Sequence, residues 1–463
     1  MRLTYLRASL ASAAVLLAGC PGGGEDDTNA VTFTSASETG NDTEPPATGD
    51  GASTTEGAVT DTTGCVPGEL ACACLPDGSC SGGLSCEGGT CQDPGGSTTE
   101  GEDTTTAGVE QECGNGMAEP GDLCLGTATP FAMGAGTIAV ALANFDADPA
   151  LDLVAANRDA NTVSIRLGDG TGDFGVQTPF GAGTGPVAIG TGDFTGDGNL
   201  DVVTVNLSSL DVTVLPGTGT GDFGAALSTV LGVAPLTFTD LAVADLENDG
   251  DPDVLVTEST MSLVHVLRLD MGGFLPTTTF GTGAGPSGIH TVDFSGNGIP
   301  DVVTSDATGG TVSVLLGNGF GQLGGATSSS AGASPSDVAA GDVNGDGLAD
   351  AIVTNPGGNV TVRLGNGLGD FGGQLPFGVA GGPQALVAAD LDLDGDTDVA
   401  AACSDGVVRL LLGGGATLTA GPEISVGMNP DDIAAADLNG DGLLDLVTAN
   451  LGSGGVSVIL SDA

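Results

Sequence analysis

From about residue 128 onward the chain is made of short runs in which apolar and polar residues alternate. "PVAIGTGD" leads into an acidic loop, "DVVTVN" leads out of it, "DVTVLPG" follows a turn, and a glycine-rich "GDFG" turn precedes a short fourth run. A period of two predicts half-buried strands, and helical periodicity is absent from this region. The acidic loop recurs seven times: "NFDADPALD" from residue 144, "DFTGDGNLD" from 193, "DLENDGDPD" from 245, "DFSGNGIPD" from 293, "DVNGDGLAD" from 342, "DLDLDGDTD" from 390 and "DLNGDGLLD" from 437. Successive steps are 49, 52, 48, 49, 48 and 47 residues. Four strand-like runs per unit at a steady period near fifty predict an all-β fold, a seven-bladed β-propeller with blades of four strands, A to D. An open β-solenoid normally uses shorter repeats.

Strand A carries the signature of ring packing. Three positions before the loop stand Ala141, Gly190, Ala242, His290, Ala339, Val387 and Ala434, and four before it Val140, Ile189, Leu241, Ile289, Val338, Leu386 and Ile433. One face is mostly small and the other branched, as crowding near an axis requires. The seventh unit stops at "GVSVILSDA", after its strand C, whereas "TPFAMGAG" (129–136) matches "TPFGAGTG" (178–185), the end of the first unit. Residues 129–134 are therefore expected to supply the outer strand of blade seven and close the ring. The alternative is a linker that merely resembles its neighbour.

With "GDFG", the Gly-Pro pairs and the DxxGDGxxD pattern recurring at a fixed period, residues 128–463 resemble FG-GAP/VCBS repeats, the blades of the integrin α-subunit propeller and of many bacterial surface proteins. The resemblance implies a propeller with calcium in the A–B loop. It implies no activity, because such blades serve adhesins, lectins and accessory domains alike.

The loop chemistry agrees. Oxygen donors at positions 1, 3, 5 and 9, with a carbonyl at 7, suit a hard cation wanting six to eight oxygens, and glycine at 6 permits the sharp turn. The spacing resembles the start of an EF-hand, but the last acid stands at 9 rather than 12 and the flanks are strands. Magnesium demands a tighter octahedron and keeps its waters, so calcium is the expected cofactor, at up to seven sites. Five sets are strong: Asp193, Thr195, Asp197 and Asp201; Asp245, Glu247, Asp249 and Asp253; Asp342, Asn344, Asp346 and Asp350; Asp390, Asp392, Asp394 and Asp398; Asp437, Asn439, Asp441 and Asp445. The fourth loop offers only two acids, Asp293 and Asp301, with Ser295 and Asn297 between them, and is expected to bind more weakly. The first departs most: Asn144 holds position 1 and Pro149 replaces the glycine, leaving Asp146, Asp148 and Asp152. Asp-Gly hairpins are also simply good turns, but recurrence at this spacing favours calcium.

The N-terminus "MRLTYLRASLASAAVLLAGC" has a basic start, an apolar run too short to span a bilayer, and a small-residue cleavage site. Its end, Leu17-Ala18-Gly19-Cys20, resembles a bacterial lipobox, which implies diacylation of Cys20 and a partner in the lipid bilayer; an ordinary signal peptide is the alternative. Pro21 stands where the inner-membrane retention signal would place an aspartate, so the outer membrane is expected. The reading divides the chain into a leader (1–19), a lipidated, solvated tether (20–64), a six-cysteine module (65–92), a linker (93–112), a short cysteine motif (113–124) and the propeller (125–463). Cys65, Cys72, Cys74, Cys80, Cys86 and Cys91 read as three disulfides of open connectivity; zinc is disfavoured without paired CxxC spacing or a histidine. "CGNGMAEPGDLC" resembles the short cysteine-rich repeats of large predatory and soil bacteria, and Cys113 and Cys124 are expected to pair. Cys403, in an apolar run, reads as a buried inert thiol.

Charge narrows the partners. The chain has 60 acidic and 7 basic residues, all seven arginine, and a formal net charge of −53. Such a surface repels nucleic acid and anionic lipid and suits cations or neutral and basic surfaces. After the leader there is no Lys, Tyr or Trp, and the only histidines are His265 and His290. No catalytic constellation is visible, so an enzyme, a polysaccharide lyase included, is not expected. A monomeric binding, adhesion or scaffold module leads. A calcium-dependent lectin is the second reading, weakened by the scarcity of aromatic rings for stacking sugars. The protein or glycan ligand is expected on the face opposite the acidic loops, made by the B–C loops "NRDANT", "NLSSLD", "ESTMS" and "DATGGT", where Arg158 is the most distinctive side chain.

Overall fold

The computed structural model describes residues 123–462 apart from Ala416, together with the backbone of 85–87 and 90–92. The leader, Cys20, the tether, most of the six-cysteine module, the linker and Cys113 lie outside the described residues. Ser85–Glu87 and Thr90–Gln92 form a short antiparallel hairpin in which Cys86 faces Cys91 across the ladder. Cys124 is half of a disulfide whose other half lies outside the described residues.

Seven four-stranded antiparallel sheets follow, and the described residues contain no helix. Blade one consists of Thr137–Ala143, Asp152–Asn157, Thr162–Arg166 and Thr178–Gly181. The pattern repeats in blade two from Pro186, blade three from Phe238, blade four from Pro286, blade five from Asp337, blade six from Pro383 and blade seven from Pro430. Each strand A packs against the strand A of both neighbouring blades, and blade seven's meets blade one's, so the ring is closed. The branched positions four before each loop are 0–1% exposed. At the small positions the fit is tight: a Cβ added to Gly190 would lie 2.8 Å from side-chain atoms of Leu241 and Val243 of blade three.

The seam lies where the sequence places it. Thr129–Ala132 pairs with Gly455–Ile459 as the fourth strand of blade seven, with Thr129 opposite Val458 and Ala132 opposite Gly455. A second contact was not anticipated. Cys124–Leu125 pairs with Ser461–Asp462, and Gly126 N–H donates to Leu460 C=O at 2.8 Å. Phe131 also reaches blade one, edge-on to Phe174 at 5.5 Å and beneath the Arg166 guanidinium.

Candidate metal centres in the blade hairpins

All seven A–B loops emerge at one end of the propeller, because each strand A runs the same way along the axis. In loops two to seven the glycine at position 6 is left-handed, with φ between 80° and 95°. Its N–H donates to the position-1 carboxylate in all six, from Gly198 to Asp193, Gly250 to Asp245, Gly298 to Asp293, Gly347 to Asp342, Gly395 to Asp390 and Gly442 to Asp437, at 2.6–3.1 Å. The position-5 side chain, Asp197, Asp249, Asn297, Asp346, Asp394 or Asp441, accepts the N–H two residues on at 2.8–3.0 Å. Position 4 is left-handed too. Glycine occupies it in four loops, Asn248 in loop three and Leu393 in loop six, at φ 60°. That last conformation is strained for a residue with a γ-branched side chain.

Loop one does not fold this way. None of its residues has positive φ. Pro149 has no N–H to give position 1, and Asn144 instead donates its own Nδ2 to the Asp148 carbonyl. Asp146 and Asp148 accept the amides of Asp148 and Ala150 at 2.9 Å. This loop is a chain of Asx turns, not a copy of the other six.

Position 9 has a task that its spacing alone does not reveal. Asp152, Asp201, Asp253, Asp301, Asp350, Asp398 and Asp445 are all fully buried. One oxygen of each accepts an amide at the start of its own loop at 2.8–3.1 Å. The other accepts the amide just beyond strand C (Gly168, Gly217, Leu269, Gly317, Gly365, Gly413 or Ser461) at 2.6–3.0 Å. These aspartates tie each A–B loop to the chain just beyond strand C. Asp201 Oδ2 and Asp445 Oδ1 accept a second hydrogen bond, from Thr195 N–H and Ser461 Oγ–H, and the oxygens that accept a single amide keep a lone pair for a cation. Glycine beyond strand C follows from the same contact: a Cβ on Gly217 would lie 2.0 Å from the Leu200 carbonyl oxygen. Burial pushes these carboxyls up, Asp398 and Asp445 to about 6; Asp253 rises by burial first, with Glu247 adding to it.

The arrangement fits a hard cation. Thr195 Oγ1, Glu247 Oε2 and Asp390 Oδ1 are buried oxygens without a hydrogen-bond partner, in loops two, three and six at positions 3, 3 and 1. Carboxylate oxygens of Asp390, Asp392 and Asp398 lie within 4.8 Å of one another, which makes loop six the tightest all-carboxylate cluster among the described residues. In loops five and seven the position-3 amide donates to position 5, Asn344 to Asp346 and Asn439 to Asp441, each at 3.0 Å. Loop three differs: Glu247 makes a 2.6 Å ion pair with Arg268, an internal cation beside the cluster of Asp245, Asp249 and Asp253.

Three further buried acids were not singled out in the sequence. Asp240, Asp337 and Asp432 stand five before the loop in alternate blades, where the other blades carry Ala or Gly. Each accepts an amide from the next blade's strand A, that of Ile289, Leu386 or Val140, at 2.9–3.0 Å. They link blades three to four, five to six and seven to one. Burial, and then the Asp337 charge, lifts the Asp240 carboxyl far above its usual range. Both histidines are packing residues. His290 lies in the inner layer, where burial lowers it to about 4, and His265 stacks edge-on against Phe238 at 5.6 Å. Cys403 is free and buried at the end of strand B, where the other blades place Asn, Asp or Glu. At the opposite end of the propeller, Arg158 pairs with its neighbour Asp159 at 3.0 Å.

Fold and loops together define a seven-bladed propeller with an acidic hairpin in every blade. A profile of the FG-GAP-like repeat matches residues 144–204, 245–304, 296–353, 342–401 and 390–448, more than half of the chain. The chain belongs to the FG-GAP-like repeat family. No curated protein matches it by sequence. Among solved structures it resembles BBS1N in complex with ARL6DN, in a crystal soaked with lead, at 14% identity and a TM-score of 0.52, over 73% of this chain and 96% of that one. It also resembles a putative 6-phosphogluconolactonase from Bacteroides fragilis at 17% identity and a TM-score of 0.49, over 64% and 86%. At these identities the first likeness speaks for the fold alone.

Proposed function

We propose that this protein is an envelope-tethered, calcium-binding propeller that acts as a binding or scaffold module rather than as an enzyme. The observation that carries the calcium reading is the set of buried, unpartnered oxygens in loops two, three and six, the last of these in the hairpin where carboxylate oxygens of Asp390, Asp392 and Asp398 lie within 4.8 Å of one another. Calcium would be held by positions 1, 3 and 5, the position-7 carbonyl and the free lone pairs of position 9. It would supply charge neutralisation and local order. FG-GAP propellers are binding and scaffold architectures, and the lack of Lys, Tyr and Trp after the leader speaks against acid–base or nucleophilic chemistry. Equilibrium dialysis with radioactive calcium tests the reading: five or six ions per chain are expected, one fewer for Asp390→Asn with Asp392→Asn, and stoichiometric absence of calcium overturns it.

The tether rests on the lipobox-like Leu17–Cys20. Cys20→Ser is expected to move the protein from the membrane fraction to the soluble one; retention through a high-salt wash would refute lipidation.

A further inference from the structure

The C–D loops share the end of the propeller that carries the acidic hairpins. Their tips are built alike in blades one, two, four and five, one residue between two left-handed glycines, such as Gly170 and Gly172 or Gly319 and Gly321. In blades one and two that residue is an exposed threonine, Thr171 or Thr220. In blades four and five it is Phe320, 75% exposed, and Leu368, 77% exposed. Blade three turns more tightly, between Leu269–Asp270 and Gly273–Phe274, and its tip is Met271, 95% exposed and itself at φ 50°, where asparagine or glycine is favoured. Threonine shows that the turn needs no apolar side chain. Three consecutive blades nevertheless present Met, Phe and Leu to water at the same place, a pattern that folding does not explain.

The tips of blades three and four stand beside an acidic hairpin of the preceding blade. A Cβ on Gly272 would lie 2.9 Å from the Thr195 carbonyl of loop two, and Phe320 C=O accepts from Arg268, the partner of Glu247 in loop three, at 3.5 Å. Asp197 and Asp249 are exposed on these hairpins, and Asp346 is exposed on the hairpin of blade five itself. Between loops three and four lies an open cleft of about 370 Å³ floored by Val243, Val292, Ile299 and Pro300, with Asp245 and Asp293 at its rim. The cleft has room for one long side chain with an apolar stem and a cationic head.

We propose that the arc of Met271, Phe320 and Leu368, with this cleft, is a docking surface for a protein segment that carries apolar side chains flanked by lysine or arginine. Apolar tips alternating with acidic hairpins complement such a segment in both hydrophobicity and charge, on a chain whose net charge is −53. The surface lies at the hairpin end, not at the opposite end where Arg158 stands. The apolar tips and the cleft are present whichever ion the hairpins hold, but the acidic half of the complementarity uses the hairpin carboxylates and is weaker wherever a cation neutralises them, so the peptide is expected to bind more tightly in chelator than in calcium.

The probe is a fluorescent synthetic peptide of repeated Lys-Leu-Leu-Lys, titrated by anisotropy in 1 mM calcium and again in chelator, with poly-lysine as the charge-only control. The triple variant Met271→Ser, Phe320→Ser, Leu368→Ser is expected to weaken peptide binding by about tenfold or more and to leave poly-lysine binding unchanged. The triple variant Val233→Ser, Met261→Ser, Met428→Ser, at the opposite end, is expected to bind like the wild type. Equal loss in both variants, no loss in the first, or no binding of the peptide to the wild type overturns the proposal. Capture of phosphatidylglycerol vesicles in calcium, abolished by the first variant, would overturn it in favour of a lipid surface. Loss of calcium uptake with peptide binding intact would remove the calcium reading alone.

Discussion

Calcium at about 10 mM is expected to raise the melting temperature of the propeller on the order of 10 °C, magnesium to do much less, and chelator to reverse the shift. Extracellular calcium modules bind at roughly 10⁻⁴–10⁻³ M. An ion tenfold above its dissociation constant adds about 1.4 kcal/mol per site by mass action, and several hairpins would contribute at once. The same sites fix a pH dependence in calcium-free protein. The Asp398 and Asp445 carboxyls stand at about 6 when folded, above the ordinary value of 3.8, because burial penalises their charge. Such groups stabilise the fold while protonated, and the contribution is lost as pH rises through about 6. Without calcium the protein should therefore melt higher at pH 5 than at pH 8, and the gain from calcium should be largest at pH 8, where the carboxylates are ionised. Two substitutions separate charge from turn geometry. Asp346 and Asn297 accept equivalent amides, those of Leu348 and Ile299. In chelator Asp346→Ala and Asn297→Ala should thus lose similar stability, while in calcium Asp346→Ala should lose more. A melting curve unmoved from zero to 10 mM calcium would sink the calcium assignment.

Deleting residues 125–134 is expected to lower the melting temperature by more than 10 °C and to promote aggregation, whereas deleting 21–64 should leave the propeller's melting nearly unchanged. The first deletion removes the outer strand of blade seven, the fully buried Met133, Phe131 with its contacts to Phe174 and Arg166, and the amide of Gly126 that meets Leu460. Large-to-small changes at such positions cost about 2–5 kcal/mol each, and the exposed strand C of blade seven becomes an edge open to pairing with other chains. Phe131→Ala is the milder form, expected to lose about 2–3 kcal/mol while leaving the ladder intact. Equal melting temperatures for the two deletions, measured by calorimetry, would show that the seam carries no weight.

What the sequence made legible was whatever repeats or lies close in the chain. The period of the acidic loops, the two-residue alternation and the match of "TPFAMGAG" to "TPFGAGTG" led to seven blades and to the strand that closes them. Position 6 was readable because only glycine relieves a left-handed turn, and loop one was readable as deviant because Pro149 cannot supply the amide. What escaped depends on partners a strand or a blade away. The second role of the position-9 aspartates needs amides 15 or 16 residues on, and nothing in "DVVTVN" marks its aspartate as buried. Asp240, Asp337 and Asp432 look like acids on any strand until the next blade arrives to donate to them. Glu247 read as an ordinary position-3 ligand because Arg268 lies across the sheet, 21 residues away.

The seam also sets an order of events in time. Thr129 and its partner Val458 lie about 330 residues apart in the chain, so a strand made before any blade waits for the last blade to be made. Contacts within a blade span a few tens of residues and form early; this ladder and the Cys124–Leu125 pairing with Ser461–Asp462 beside it carry the largest loop-closure entropy among the described residues. Until then Phe131 and Met133 lack their cover, and blade seven shows an open edge to whatever surrounds the emerging chain. The last ladder to form is thus also the one whose absence is most exposed, which makes ring closure the step at which a newly made propeller either becomes safe or joins a neighbour.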